Sequence, residues 1–242
     1  MTAPETDPAT GLPIGPRVVN PSPAPRPQRT TLAGRYATVT ALDPALHADS
    51  LHAAIADPAN DRLWRYLFEG PFATRADFDA YLARIAQSED PLYYAILDTA
   101  TGAAVGQAAY LRIKPAHRCI EVGAILYAPS LQRTPGATET MYLMARHAFE
   151  DLGYRRYEWK CDALNAPSRR AALRLGFTYE GIFRQHLIIK GRNRDTAWFS
   201  LLDSEWPTRK AAVERWLDPA NFGADGRQKT SLSALNGVSP EV

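Results

Sequence analysis

The order of the predicted elements indicates a mixed α/β fold built on one sheet with helices packed against it. Helices come first, followed by strands in a meander, a strand–helix–strand unit, a further helix and a closing hairpin. This order fits neither a uniform βαβ array nor a sandwich of two sheets. With 242 residues, the chain suits one large domain or two small ones, and either can bury a core.

Short helices and strands alternate in the first half of the chain. Phe78, Tyr81, Leu82 and Ile85 recur at helical spacing after Thr74, which indicates a capped amphipathic helix. The turn 98–102 separates two strand patterns and predicts an antiparallel hairpin. The elements predicted here are a strand over 35–42, helices over 44–56, 61–68 and from 74, and strands over 92–97 and 103–113.

The second half contains the clearest helix, which is predicted over 137–152 because its apolar residues share one face and Gly153 follows at the C′ position. A short helix over 167–175 is predicted to end at Gly176. The strands predicted here cover 119–127, 156–161, 177–189 and 196–202, the last two joined by a turn over 190–193.

Composition divides the chain into three segments. Eight of the 19 prolines lie in the first 28 residues. Such a stretch favours an extended conformation over a helix or a central strand. Residues 218–242 are rich in Gly, Ser, Asp and Asn and lack a sustained period. We therefore expect a proline-rich arm over 1–31, one domain over 32–217 and a flexible tail over 218–242.

Composition excludes several classes of protein. The net charge of +2 is too balanced for a dedicated nucleic-acid binder, and no run approaches 18 apolar residues, as a membrane span requires. Only two cysteines are present, and no secretory signal is visible, which together favour a reduced cytoplasmic protein. Cys119 and Cys161 do not suggest a disulfide scaffold, and no spacing suits a metal site.

The first motif with chemical potential runs from Glu121 to Glu139. It predicts a strand that passes through a tight turn into the N-terminus of a helix, where unpaired N–H groups and the helix dipole favour an anion such as a diphosphate. Its low glycine content leaves an ordinary strand–loop–helix corner equally open.

The second motif joins Asn165 and Ser168 to Gly176. Taken alone, it fits a helix cap at Asn165 and a helix end at Gly176 better than catalysis. Residues 155–194 also hold ten basic residues against three acidic ones, a charge excess beside the proposed phosphate turn. A solvated surface would give the same pattern.

Together these segments resemble the GNAT acyl-CoA N-acyltransferase superfamily, in the branch similar to RimJ and RimL ribosomal-protein acetyltransferases. The resemblance covers about 35–206, and its motifs are specific by order and spacing rather than singly. It implies a mostly antiparallel twisted sheet with flanking helices and a V-shaped gap between strands 119–127 and 156–162. The segments that carry it are 121–139, 165–168, 173–177 with 180–181, and 192–196 with Trp198.

The resemblance implies that acetyl-CoA occupies this gap, with its pantetheine arm on one strand and its diphosphate on the turn. The turn departs from the family's Q/R-x-x-G-x-G/A pattern, since it has fewer glycines and Pro135 removes one N–H donor. The residues that we expect to bind the cofactor are Ile125, Leu126, Tyr127, Arg133, Thr134, Gly136, Ala137, Thr138, Asn165 and Ser168.

The reaction that the resemblance implies is direct attack of a primary amine on the thioester, without metal or covalent enzyme intermediate. Many members carry a tyrosine where this chain has Ala172, so Ser168 is the expected donor to the leaving thiolate. Glu121 and Glu158 are the expected proton acceptors, with Glu180 as a further candidate, although each also fits a structural carboxylate.

The acceptor implied by the resemblance is a small amine or a protein N-terminus. Aromatic residues between 64 and 81 suggest an apolar acceptor wall or simply core. A homodimer is compatible with the family. A non-catalytic acyl-CoA-binding or regulatory module and a nucleotide-binding domain remain the alternatives.

Overall fold

A computed structural model describes residues 4–238, so the outermost parts of the predicted arm and tail, 1–3 and 239–242, lie outside the described residues. Ten strands are present in this part of the chain. Two of them form a separate small hairpin, β1 Glu5–Thr6 and β2 Pro13–Ile14. The main sheet contains β3 Leu32–Ala33, β4 Ala37–Ala41, β5 Leu92–Asp98, β6 Ala104–Lys114, β7 Cys119–Tyr127, β8 Arg156–Asp162, β9 Thr178–Ile189 and β10 Arg192–Leu202.

The eight-stranded sheet has the order β3-β4-β5-β6-β7-β8-β10-β9. Its neighbouring strands run antiparallel except β7 and β8, which are parallel and are joined by a helical crossover. This arrangement confirms the mixed, mostly antiparallel fold.

Helices cover both faces of the sheet, and several begin at a capping side chain. Thr74 and Thr134 each accept a hydrogen bond from the N–H three residues later, and Asn165 does the same for Ser168. The α-helices are α1 Pro44–Ile55, α2 Arg75–Ala86, α3 Pro135–Arg146, α4 Ala166–Arg174, α5 Trp206–Leu217 and α6 Leu232–Leu235.

Two hydrophobic clusters lie on opposite faces of the sheet. One cluster joins the sheet to α3, α4 and α5, and includes Ile120, Val122, Tyr157 and Trp159. The other joins the opposite face to α1 and α2. Side chains alternate along a strand. Glu121 lies between Ile120 and Val122, and Glu158 lies between Tyr157 and Trp159, so both are on the α1 side of the sheet.

Some predicted boundaries were wrong for local reasons. The segment predicted as a helix over 61–68 is a 3₁₀ helix at Pro58–Trp64, and the long helix begins at Pro135 and ends in a π-helical turn, His147–Asp151. Strand β10 begins at Arg192 rather than 196, because Lys190 and Gly191 alone form the hairpin turn, with φ of 50° and 72°. Positive φ at both positions suits a two-residue hairpin turn.

The N-terminal arm lies on the surface of its own domain from about residue 20 onward. Ala24 donates its N–H to the Pro115 carbonyl, and Tyr94 donates its hydroxyl to the Gln28 carbonyl. The sequence predicted an extended arm but not which surface it would follow.

The C-terminal segment packs against the domain over the part that the structure describes, in contrast to the expected loose tail. Leu232 is fully buried, and Asn236 donates from Nδ2 to the Arg174 carbonyl while its own carbonyl accepts from Arg209. A few isolated apolar residues anchor this segment, and they leave no periodic signal in the sequence. Over residues 4–238, no helix is both long and apolar enough to cross a membrane.

Candidate active site

A gap opens between the two parallel strands. Over the described residues, pairing of β7 with β8 runs from Cys119–Arg156 to Val122–Trp159 and stops there. Beyond that point β10 continues to pair with β8 up to Asp162, and β6 continues to pair with β7 up to Tyr127. The strands therefore diverge in a V, as expected.

A β-bulge in β7 lies at the mouth of this gap. Gln107 pairs with Leu126 and Ala109 pairs with Gly123, so two residues of β7, Ala124 and Ile125, oppose a single residue of β6. Ala124 has a φ of 50°. A bulge bends the strand that carries it, which turns β7 away from β8 where their pairing ends. The backbone around Ile125 to Tyr127, predicted to bind the pantetheine arm, thus lies along the gap.

The turn before α3 has the predicted geometry, but some of its N–H groups already have acceptors. Thr134 donates its N–H to the Leu131 carbonyl, and Ala137 donates its N–H to Thr134 Oγ1, both at 3.3 Å. Pro135 has no N–H, and Arg133 adopts a φ of 61°. The predicted donors in the turn therefore reduce to the N–H groups of Arg133, Gly136 and Thr138, which have no acceptor among the residues that the structure describes.

A half-buried arginine adds positive charge beside this helix start. Arg174 of α4 donates from Nη1 to Thr138 Oγ1 at 3.0 Å, and its guanidinium lies 4.7 Å above the Trp216 ring. Burial lowers the pKa of Arg174. The side chain of Thr138 therefore holds an arginine, while Tyr127 Oη donates to the Ala137 carbonyl at 3.1 Å.

Ser168 lies in the first turn of α4, next to Trp159, which is the last residue of β8 that pairs with β7. Trp159 donates from Nε1 to Ser168 Oγ at 3.0 Å, and Asn165 Oδ1 accepts the Ser168 N–H at 3.2 Å. A hydroxyl has one proton to donate and two lone pairs. Since Trp159 uses a lone pair, the O–H of Ser168 remains as a donor, and the Cys161 thiol is one acceptor beside it. Asn165 acts as the cap of α4, as its position in the sequence also allowed.

Cys161 does not resemble a nucleophile. Burial raises the pKa of its thiol, and a hydrogen bond with Ser168 offsets part of that increase, so the thiol stays protonated at neutral pH. Over residues 4–238, no group of three His, Cys, Asp or Glu side chains is arranged to hold a metal ion.

Glu121 lies on the α1 side of the sheet, one residue before the pairing of β7 and β8 ends. Its side chain is 3% exposed and is bound by two cations. Arg112 Nη1 is 2.8 Å from both carboxylate oxygens, and Lys160 Nζ is 2.9 Å from Oε2. Burial raises the pKa of Glu121 above its ordinary value, and the two cations counteract part of this increase.

Glu158 is the register partner of Glu121 across the parallel pair, yet its environment differs. Burial opposes its ionisation, but hydrogen bonds from Arg156 and Lys160 outweigh burial and hold the pKa of its carboxyl low. Glu180 also binds Arg156, and that bond is the largest cause of its lowered pKa. The three candidate bases thus have different environments, and Glu121 alone of these has a raised pKa.

Lys160 connects the two facing carboxylates. Its side chain is 3% exposed, its Nζ lies 2.7 Å from Glu158 Oε2, and it sits 3.7 Å above the Trp198 ring of β10. Glu158, Lys160 and Trp198 share the α1 side of the sheet because of strand alternation. Neither Lys160 nor Arg112 was predicted as a site residue, although the two-residue spacing of Glu158 and Lys160 on a strand placed them on one face.

The aromatic residues predicted as an acceptor wall divide into two groups. Trp64, Phe72, Phe78 and Tyr81 pack edge to face or tilted against one another within the core of the α1 side. Tyr66 and Phe68 are instead partly exposed in the segment 64–72, which we call the strap. These two residues reach towards β8 and β10 respectively.

The strap is fastened across the α1 side of the sheet by three contacts. Lys190, in the turn between β9 and β10, donates to the carbonyls of Trp64 at 2.7 Å and Glu69 at 3.1 Å. Tyr66 donates to the Leu164 carbonyl at 3.3 Å. The strap therefore spans from the β9–β10 hairpin to the loop after β8 and covers this side of the site.

Comparison with known proteins agrees with this geometry. A family model described as an acetyltransferase (GNAT) domain matches residues 38–178. A GCN5-related N-acetyltransferase from Brucella melitensis is 47% identical, with a TM-score of 0.88 over 90% of this chain and 98% of that one. A protein from Chromobacterium violaceum, described as a probable acetyltransferase of the GNAT family, is 36% identical, with a TM-score of 0.75 over 81% of this chain and 98% of that one.

A more distant structure shares the fold. The RimL acetyltransferase of ribosomal protein L7/L12 is 18% identical, with a TM-score of 0.61 over 72% of this chain and 94% of that one. A comparison with curated proteins finds no match. The fold, the gap between β7 and β8, and the family match over more than half of the chain lead to one conclusion. The chain belongs to the GNAT family of acetyltransferases, enzymes that use acetyl-CoA as co-substrate.

Proposed function

We propose that this enzyme transfers the acetyl group of acetyl-CoA to a primary amine by direct attack within a ternary complex. The observation that carries the proposal is the end of the β7–β8 ladder at Val122 and Trp159. Glu121 precedes Val122 on one side of the sheet, and Ser168 contacts Trp159 on the other. A proton acceptor and a proton donor thus flank the opening where the thioester would lie.

Two sides of the sheet then have separate tasks. We call the side with α3 and α4 the donor side, where the N–H groups of Arg133, Gly136 and Thr138 and the charge of Arg174 favour the diphosphate. We call the side with α1, α2 and the strap the acceptor side, where the amine would approach Glu121.

In the proposed reaction, the neutral amine attacks the thioester carbonyl carbon, a C–N bond forms, and the C–S bond breaks. Glu121 takes the proton that the amine loses, for which a raised pKa is suited. The O–H of Ser168 donates to the sulfur as thiolate charge develops, which needs no unusual pKa. The acetyl group is never bound covalently to the protein.

The test is release of free CoA thiol from acetyl-CoA in the presence of a panel of primary amines. For Ser168→Ala we expect kcat to fall by roughly a hundredfold with little change in the KM for acetyl-CoA. Ser231→Ala is the matched control, because Ser231 also caps the start of a helix but lies in the C-terminal segment.

An unchanged kcat in Ser168→Ala would remove the role given to that hydroxyl. Thermal stabilisation by acetyl-CoA with no thiol release from any amine would instead support a non-catalytic acyl-CoA-binding module.

A further inference from the structure

A buried arginine on the acceptor side has no carboxylate at ion-pair distance among the residues that the structure describes. Arg194 of β10 is 7% exposed, and its Nε donates to Thr196 Oγ1 at 3.3 Å. Its guanidinium lies 5.5 Å from the Phe68 ring of the strap. Over residues 4–238 no carboxylate lies within the 4.0 Å of an ion pair, and its two Nη groups have no acceptor.

The other cations that contact carboxylates on this side differ from Arg194. Arg112 binds Glu121, Lys160 binds Glu121 and Glu158, and Arg156 binds Glu158 and Glu180. Each of them therefore has its charge balanced by a carboxylate at hydrogen-bond distance. Arg194 is the exception among these four.

The nearby carboxylate of Asp162 does not fill this role. Its charge acts on Arg194, but its Oδ1 accepts the Leu164 N–H at 2.8 Å and so caps the turn after β8. Asp195, the next residue of β10, binds the Gln185 N–H and the Asn193 amide. The two Nη groups of Arg194 are therefore left without a protein acceptor in this region.

The Nη atoms of Arg194 keep some contact with solvent, so a ligand can reach them, and because the rest of the side chain is buried, a charged hydrogen-bond partner there would be favourable. The planar fork matches a carboxylate, which it binds through two parallel hydrogen bonds. Arg194 and His186 both contact Thr196, and His186 lines an open hollow of about 620 Å³ along β9. This hollow is lined by residues 183–186 and is connected to Arg194 through the side chain of Thr196.

The strap limits what can reach Arg194. It is fastened to the β9–β10 turn through Lys190 and to the loop after β8 through Tyr66, and Phe68 lies over the guanidinium itself. This cover favours a small acceptor over the surface of a folded polypeptide. The diphosphate of acetyl-CoA is expected at α3, on the opposite side of the sheet, and is not the anion in question.

We propose that Arg194 binds a carboxylate of the acceptor, so that the substrate is a small primary amine that also carries a carboxylate, such as an amino acid. This inference rests on the acetyl transfer proposed above and specifies its substrate class. The bound carboxylate would fix the amine relative to Glu121 while the amine attacks the thioester.

The first experiment uses the wild-type enzyme and matched acceptors. CoA release is measured with α- and ω-amino acids, each paired with its carboxamide, and with short peptides that have free N-termini. A charged hydrogen-bonded pair lost on conversion to the amide predicts a kcat/KM ratio of roughly tenfold to a hundredfold in favour of the carboxylate.

The second experiment assigns this preference to Arg194. In Arg194→Gln we expect the carboxylate-to-carboxamide ratio to fall to about one, and in Arg194→Lys we expect an intermediate ratio because the charge remains without the fork. Arg192→Gln is the matched control, since Arg192 is an exposed residue of the same strand and should retain the full ratio. The KM for acetyl-CoA reports whether each variant is folded.

Three results would overturn the inference. Equal rates for amino acids and their carboxamides would exclude a carboxylate anchor, and preferential turnover of peptides over small amino acids would exclude a small acceptor. An unchanged ratio in Arg194→Gln would place the anchor elsewhere. CoA release from no amine of either class would instead contradict the proposed acetyl transfer itself.

Discussion

The donor and acceptor sides of the β7–β8 gap are built from different kinds of interaction. On the donor side, the turn before α3 and the start of α4 are shaped by local backbone hydrogen bonds and capping side chains. On the acceptor side, Arg112, Glu121, Glu158 and Lys160 meet from three different strands as ion pairs around the buried carboxylate of Glu121. Local interactions can be predicted from a short sequence motif. Ion pairs between strands cannot, because they depend on the register in which the strands pair.

The largest effect is expected from the acceptor side. In Glu121→Gln, loss of the proton acceptor should lower kcat by about 10²–10⁴-fold, as measured by CoA release. Glu158→Gln is the comparison variant, and its kcat should fall by less than tenfold because its low pKa makes it a poor base. CoA binding verifies that both variants are folded. Equal losses in the two variants would contradict the assignment of the base.

A smaller effect is expected on the donor side. Gly136→Asp should raise the Kd for CoA by about tenfold or more, since a carboxylate at this turn repels the diphosphate. The same charge suits a helix N-terminus, but Gly136 is buried, so thermal unfolding without CoA checks that the variant keeps its fold.

Gly136→Ala is the matched control for size. An added Cβ would lie 3.4 Å from Leu131 Cδ1 and from the Tyr36 carbonyl, which the site can accommodate. Calorimetric titration with CoA separates the two variants. Equal weakening by alanine and aspartate would indicate a steric effect rather than a phosphate site.

The smallest effect is a displacement of the pH profile. A general base must be ionised, so kcat/KM should decline as pH falls through the pKa of Glu121, which burial places above its usual value. Lys160→Met removes a cation that lowers this pKa, so the acid limb should move to higher pH by about one unit or more.

Lys210→Met is the control, because Lys210 pairs with Glu150 away from the gap. Its profile should match that of the wild type. An acid limb that stays in place or moves to lower pH in Lys160→Met would mean that Glu121 does not set it.

The sequence predicted the fold well wherever a local signal existed. Strand β7 was predicted at its observed bounds, and Thr74, Gly153 and Gly176 correctly marked helix boundaries. The start of β10 was misplaced because a two-residue turn of Lys190 and Gly191 resembles the polar residues around it. The packing of the C-terminal segment depends on single buried residues that no periodicity reveals.

Prediction of the site followed the same division. Ser168 and Asn165 could be named as candidates because their motif is contiguous, and Asn165 caps α4 as that motif also indicated. Glu121 and Glu158 were named as separate candidates, but their connection through Lys160 follows from the parallel register and is not readable from spacing. Arg194 was noted merely as part of a basic stretch, because its lack of a partner is a property of the folded protein.

The carboxylate of Glu139 has a consequence for where the folding unit ends. It accepts hydrogen bonds from the N–H groups of Arg35, Tyr36 and Ala37, more than 100 residues earlier, and thereby ties the chain before β4 to α3. The family match spans residues 38–178. The three N–H groups that bind Glu139 come before this span, and the buried Leu232 comes after it. A fragment cut at those limits would lose the partners of a buried charge, so the cooperatively stable unit extends beyond the span of the family match.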